Sequence, residues 1–179
     1  MTSIGNVYGE ALYSLACEEG LSQTFLQELT ALEESFTQAP EFLRLLDAPN
    51  LTKEARCQIL DDSFRGKLHG YVLNFLKLLA EKSYARHFGD CCKAFRSRYN
   101  EDNGILPVTA VTAITLTESQ KTALMEKLAA VTGKTIQLHN RVDEAVLGGI
   151  RLDYSGTRLD DTLAHRLSDI RTKLKDTVL

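Results

Sequence analysis

No apolar run in this chain approaches the about 20 residues that span a bilayer. The longest, Tyr71 to Ala80, is short and is interrupted by Asn74 and Lys77. Any membrane association is therefore expected to come through a partner. The start, Met1-Thr2-Ser3-Ile4, lacks a basic region followed by an apolar run, so no secretory signal is expected. None of the four cysteines (Cys17, Cys57, Cys91 and Cys92) forms a Cys-x-x-Cys pair, and reduced thiols in a cytosolic protein are the expectation. A basic excess is also missing. The net charge of −3 argues against a general nucleic-acid binder, which needs a cationic face to displace counterions. There are no internal repeats and no low-complexity segments.

Catalytic motifs are missing too. Gly133-Lys134-Thr135 has the form of the tail of a phosphate-binding loop, but the position five residues before Gly133 is Leu128 rather than glycine. A helix-ending glycine is the better reading. His69, His87, His139 and His165 are scattered over separate elements. His87 and Cys91 share a helix face, yet a zinc site needs three or four ligands and no second pair accompanies them. The acidic pairs Glu18-Glu19, Glu33-Glu34 and Asp61-Asp62 are adjacent in sequence, so on a helix they diverge by about 100° and do not converge as a dyad. No Gly-x-Ser-x-Gly occurs, and Cys91-Cys92 reads as a half-buried helical pair. No metal, cofactor or catalytic residue is expected.

What is present is 44% apolar and 25% charged residues in 179, enough for a core and unlike a disordered chain. Residues 1–64 carry eleven acidic side chains against three basic ones (Arg44, Lys53, Arg56), whereas residues 65–104 carry eight basic against four acidic. The front is either a set of solvated helix faces or an acidic surface suited to a basic partner. Helical periodicity predicts a first helix over residues 3–18 with Ile4, Val7, Tyr8, Ala11, Leu12 and Leu15 on one face, ended by Gly20. A second follows over 22–36 (Phe25, Leu26, Leu29, Leu32, Phe36), and a short third over 41–47 with Pro40 in its first turn. A fourth is capped by Thr52 and carries Ala55, Ile59, Leu60 and Phe64. The fifth, about 68–82, is apolar nearly all round: Tyr71, Val72, Leu73, Phe75, Leu76, Leu78 and Leu79. Such a helix buries more than one face. Either it is central to a bundle, or one face packs inward and another awaits a partner. A basic sixth helix is expected over 84–100.

Asn100 to Gly104 is polar, ends in glycine and marks the expected domain boundary. The period then changes. Val108 to Thr115 reads as a strand with Pro107 at its entrance. Thr117-Glu118-Ser119-Gln120 is a capping box for a helix bearing Leu124, Leu128 and Val131, which Gly133 stops. Thr135 to Val142 alternates as a second strand. Gly148-Gly149 open a hairpin, Ile150 to Tyr154 returning at Thr157 to Leu159, and a last helix carries Leu163, Leu167, Ile170 and Leu174. The predicted fold is α+β: a six-helix bundle over 1–104, then a small β-α-β-β-α domain over 105–179.

Two function classes stay open on these residues alone. One is an interaction module with an exposed apolar groove, such as a cytosolic adaptor. The other is an enzyme whose site is dispersed in sequence. The fifth helix and the missing chemistry favour the first.

The stretch from Val7 to Ala16, Val-Tyr-Gly-Glu-Ala-Leu-Tyr-Ser-Leu-Ala, resembles the opening helix of the delta subunit of F-type ATP synthases, whose mitochondrial counterpart is the oligomycin-sensitivity-conferring protein. Leu147-Gly148-Gly149-Ile150, Leu159-Asp160-Asp161-Thr162 and Arg166-Leu167 match that family's closing pattern, and Phe95-Arg96-x-x-Tyr99-Asn100 is similar as well. The likeness spans the whole chain in order. Two departures stand out: Gly9 where the family often has alanine, and Asp161 where it has glycine.

The resemblance implies a non-catalytic stator subunit on the cytoplasmic face of a bacterial membrane. It would join the catalytic head of the synthase to its peripheral stalk, so that torque is resisted during proton-driven ATP synthesis. It further implies that a groove between the first and fifth helices receives the amino-terminal helix of an alpha subunit. Tyr8, Leu12, Leu15, Phe75, Leu78 and Leu79 would be its anchors. The second domain would engage the carboxy-terminal end of the b subunits.

Overall fold

The computed structural model describes residues 3–48, 50–146, 148–154 and 156–162. The chain divides between Tyr99 and Asn100 into two units. The last predicted helix, with Leu163, Leu167, Ile170 and Leu174, lies outside the described residues.

In the first unit, α1 (Ser3–Glu18), α2 (Ser22–Gln38), α3 (Pro40–Leu46), α4 (Lys53–Phe64) and α5 (Gly70–Glu81) are followed by a 3-10 turn (Ala85–His87) and α6 (Phe88–Asp102), whose end from Asn100 on belongs to the second unit. Local chemistry sets most of the boundaries. Gly20 takes the left-handed conformation between α1 and α2. Pro40 occupies the first turn of α3, and the Thr52 hydroxyl accepts the Ala55 amide at the start of α4. Helix α5 starts later than the expected residue 68 because His69 caps it: its Nδ1 accepts the Tyr71 amide, and both Glu28 carboxylate oxygens accept the His69 amide at 3.0 Å. The expected single helix over 84–100 instead begins as a 3-10 turn. Ser83 has a φ of 57°, and the Asp47 carboxylate accepts the amides of Ala85 and Arg86, which tightens the entry.

The core of this unit is continuous. Phe25, Leu29, Leu32 and Phe36 of α2 meet Leu60 of α4, Val72, Leu76 and Leu79 of α5, and Phe88 and Phe95. Phe36 stacks on Phe42 and meets Phe64 and Phe88 edge-on. Arg56, only 6% exposed, is embedded among helix ends. Its guanidinium donates to the carbonyls of Ala80 (2.9 Å) and Ala48 (2.8 Å) and to the Ser83 hydroxyl (2.7 Å). The negative end of the α5 dipole thus faces the buried cation.

In the second unit, β1 (Ile105–Thr112), α7 (Glu118–Thr132), β2 (Thr135–Val142), β3 (Ile150–Tyr154) and β4 (Thr157–Asp160) follow in order. The sheet runs β2-β1-β3-β4, with β1 parallel to β2 and the other pairs antiparallel. The hairpin contributes two strands, so the described part reads β-α-β-β-β, one strand more than the expected unit. The first strand also starts earlier than expected and contains Pro107. β1 pairs with β3 only from Val108 to Thr112, so the missing proline amide falls outside that ladder. At its far end Asn140 takes over. Its Nδ2 donates to the Ala110 carbonyl and the Thr112 hydroxyl, and its Oδ1 accepts the Leu116 amide.

The capping box at Thr117 and Gln120 forms as expected, and Gly133 ends α7 at a φ of 67°. Leu124, Met125, Leu128 and Ala129 of α7 pack on Leu106, Val108, Ala110, Ile136 and Leu152. Val131, expected on that stripe, is 85% exposed, because the packed arc advances through Met125 and Ala129 instead. At the glycine pair, Gly149 has a φ of 85°, and an added Cβ would lie 2.4 Å from the Asp161 carbonyl oxygen. The Asp161 amide donates to the Ile150 carbonyl. The carboxylate that accepts the Thr162 amide and hydroxyl is that of Asp160.

Candidate functional site

Helices α1 and α5 run side by side in opposite directions. The Tyr71 hydroxyl near the start of α5 donates to Glu19 Oε1 (3.1 Å) just past the end of α1. At the other end the rings of Tyr8 and Tyr84 meet edge-on at 6.0 Å, Tyr84 lying just beyond α5. Between the two helices is a groove of about 260 Å³ lined by Tyr8, Ala11, Leu12, Leu15, Tyr71, Asn74, Phe75 and Leu78. The lining follows from the helical period: positions 8, 11, 12 and 15 of one helix and 71, 74, 75 and 78 of the other form two facing stripes.

Glycine brings α1 close to α6 behind the groove. A Cβ on Gly9 would lie 2.4 Å from the Cys91 carbonyl oxygen and 2.7 Å from the Ala94 Cβ. The core-facing arc of α1 is Gly5, Gly9, Leu12, Tyr13 and Ala16. This turns Tyr8, Ala11 and Leu15 toward the groove. On α5, Val72, Leu73, Phe75, Leu76, Leu79 and Ala80 are buried, whereas Tyr71 and Leu78 are 37% and 40% exposed. The all-round apolar helix is therefore both central and outward-facing.

Of the six residues predicted as anchors, Tyr8, Leu12, Leu15, Phe75 and Leu78 line the groove. Leu12 and Phe75 are largely buried and form its floor, while Leu78 stands on its wall. Leu79 is 1% exposed and belongs to the core. Ala11, Tyr71 and Asn74 complete the lining and were not predicted as anchors. Their signal was the same stripe, three and four residues from the anchors.

The groove is suited to burial rather than reaction. Its hydroxyl at Tyr71 has a raised pKa because it donates to the Glu19 carboxylate. The two buried thiols are held neutral: burial pushes Cys91 up to about 11 and Cys92 further in the same direction. Cys57 is raised as well, by burial and by its contact with Glu81. Among the described residues, no group of three or more His, Cys, Asp or Glu side chains converges as metal ligands. Gly133 follows a helix and precedes a strand, the reverse of a phosphate-binding loop. In the second unit an open cleft of about 640 Å³ is lined by Pro107, Thr109, Asp153, Tyr154, Gly156, Thr157 and Arg158, with an Arg158–Asp153 ion pair at 2.9 Å.

Comparison with known proteins gives the family. The family model described as the ATP synthase delta (OSCP) subunit matches residues 4–174. An ATP synthase subunit delta of Chloroherpeton thalassium is 26% identical over 171 residues, covering 96% of this chain and 93% of that one. One of Clostridioides difficile is 27% identical over 176 residues, covering 98% and 97%. Among solved structures, a chain of the Toxoplasma gondii mitochondrial ATP synthase hexamer superposes with a TM-score of 0.78 over 97% of this chain and 98% of that one, at 17% identity, a likeness of fold. With the family's model running through both units, the chain belongs to the ATP synthase delta (OSCP) subunit family.

Proposed function

We propose that the groove between α1 and α5 is where this subunit holds the catalytic head, by receiving the amphipathic amino-terminal helix of an alpha subunit. The family membership itself makes the chain a non-catalytic stator subunit of an F-type ATP synthase. The observation that carries the groove assignment is its wall. Tyr71 and Leu78 leave more than a third of their surface exposed beside a floor of buried Leu12 and Phe75. An unaccompanied helical unit has no need of that arrangement, whereas helix-in-groove binding uses anchors at this spacing. In this reading the six helices of the first unit form one bundle that serves as the platform. An interface of about 800 Å² per partner is the usual scale for a specific, reversible hold.

The second unit, in the same proposal, engages the carboxy-terminal end of the b subunits, and the protein sits at the cytoplasmic face of the membrane as part of the complex. Among the described residues no helix is long and apolar enough to cross a membrane, which fits attachment through partners. The mechanism is mechanical. The groove holds a helix of the head, the other unit holds the stalk, and torque from rotation is borne across the chain.

The experiment is a titration of the full chain with the amino-terminal peptide of the cognate alpha subunit. Leu78→Asp places a charge on an exposed wall residue, so the fold is expected to persist by circular dichroism while affinity falls at least tenfold, about 1.4 kcal/mol. Tyr8→Asp is expected to act in the same direction. Folded variants with unchanged affinity would show that the helix docks elsewhere.

A further inference from the structure

Resting on the reading of the groove as a helix-docking site, we infer that Glu18 and Glu19 form an anionic clamp at one end of it, and that the docked helix presents a Lys or Arg there, which fixes its direction. The first cationic side chain in the sequence is Arg44, whereas residues 1–43 hold seven glutamates. Two of those seven are engaged in holding α2: Glu28 accepts the His69 amide, and Glu33 pairs with Arg96 at 2.7 Å. Glu18 and Glu19 are different. Glu18 continues the groove stripe of Tyr8, Ala11, Leu12 and Leu15 by one further turn, and Glu19 follows it just past the end of α1. Both are exposed. Neither has a cationic partner among the described residues, and the hydrogen bond from Tyr71 ties Glu19 to the groove lining. The carbonyls at the end of α1 add to the negative potential there.

The opposite end of the groove is not acidic in the same way. There the α5 stripe continues to Glu81 and Lys82, which are of opposite sign, and the Cys57 thiol donates to Glu81 at 3.5 Å. Lys77, the other cation of α5, is already paired with Asp61 at 2.7 Å. The groove is thus apolar along its length, doubly anionic at the Tyr71 end and near neutral at the Tyr84 end. An amphipathic helix with a cation in one terminal turn gains attraction in one orientation and loses it when reversed. Charge of this kind sets direction and partner choice more than total affinity.

The experiment uses the full chain and two peptides, the cognate alpha-subunit amino-terminal segment and a version with its Lys and Arg replaced by Gln. Glu18→Gln with Glu19→Gln is expected to weaken binding of the cationic peptide about three- to tenfold. The same double substitution should leave the Gln peptide unaffected. Raising salt from about 50 to about 500 mM should weaken the wild-type pair and not the doubly substituted one. Glu10→Gln, on another flank of α1, is the control and should change nothing. Cationic-peptide binding that is indifferent to Glu18, Glu19 and salt overturns the clamp and leaves the groove standing. Absence of any peptide binding overturns both.

Discussion

Gly9 stands mid-helix, where alanine is ordinarily about 1 kcal/mol more favourable. Propensity alone therefore expects Gly9→Ala to stabilise α1. Packing expects the opposite, because the new methyl would meet the Cys91 carbonyl oxygen at 2.4 Å and the Ala94 Cβ at 2.7 Å. Backbone and a Cβ do not swing aside as the tip of a long side chain does. The two helices must part, and overpacking of this kind costs about 1–3 kcal/mol. Urea denaturation of the Gly9→Ala variant should show a lowered midpoint, and a raised one would mean that α1 and α6 are further apart than described. Arg56 is the other residue whose neighbours matter more than its type. As a letter it belongs to the charge tally of an acidic segment. In the structure it is a buried cation that ends on three uncharged oxygens at the close of α5 and beside α3. Periodicity gives no sign of this, since its acceptors come from turns 8, 24 and 27 residues away.

At the scale of elements, features set by nearest neighbours were legible and features set by distant ones were not. The capping box at Thr117, the stop at Gly133 and the cap at Thr52 use groups within four residues, and each forms as read. The all-round apolar helix α5 posed a question that periodicity does not answer. Leu78 and Leu79 are both leucines on adjacent faces, and only the positions of α2 and α4 decide that Leu79 goes inward. The early start of β1 was hidden by Pro107, which is tolerated because β3 ends before reaching it. The join between β1 and α7 depends on Asn140, 24 and 30 residues from the groups it holds. Its side chain closes the open end of β1, donating to Ala110 and Thr112 and accepting from Leu116. Asn140→Ala leaves these groups without a protein partner, and a loss of about 1–3 kcal/mol is expected. Thermal unfolding should register it. Asn140→Asp, which keeps the acceptor for Leu116 but not the donors, should recover part of the loss, and equal stability of all three proteins would mean that water serves those groups as well.

Across the whole molecule, charge and shape divide the labour that family membership implies. The chain is close to neutral at −3, yet its first 43 residues are wholly without cations. That acidic front includes one wall of the groove and the two glutamates at its end. The family resemblance in the sequence rests in part on the Leu147-Gly148-Gly149-Ile150 stretch. The structure gives that stretch an architectural task, since Gly149 lets the backbone pass against Asp161. The proposed partner site lies on the other unit, in residues that any amphipathic helix would share. This is why the family was easier to read than the site. A stator subunit needs no reactive group. The neutral buried thiols and the apolar groove are consistent with holding rather than turnover. The claim that the head is held in this groove is open to direct mapping. Backbone amide shifts of the isotope-labelled full chain can be followed while the alpha-subunit amino-terminal peptide is added. The account predicts changes concentrated in residues 3–19 and 70–82, with the sheet of β1 to β4 unmoved. Changes confined to residues 105–162, or none at saturating peptide, would contradict it.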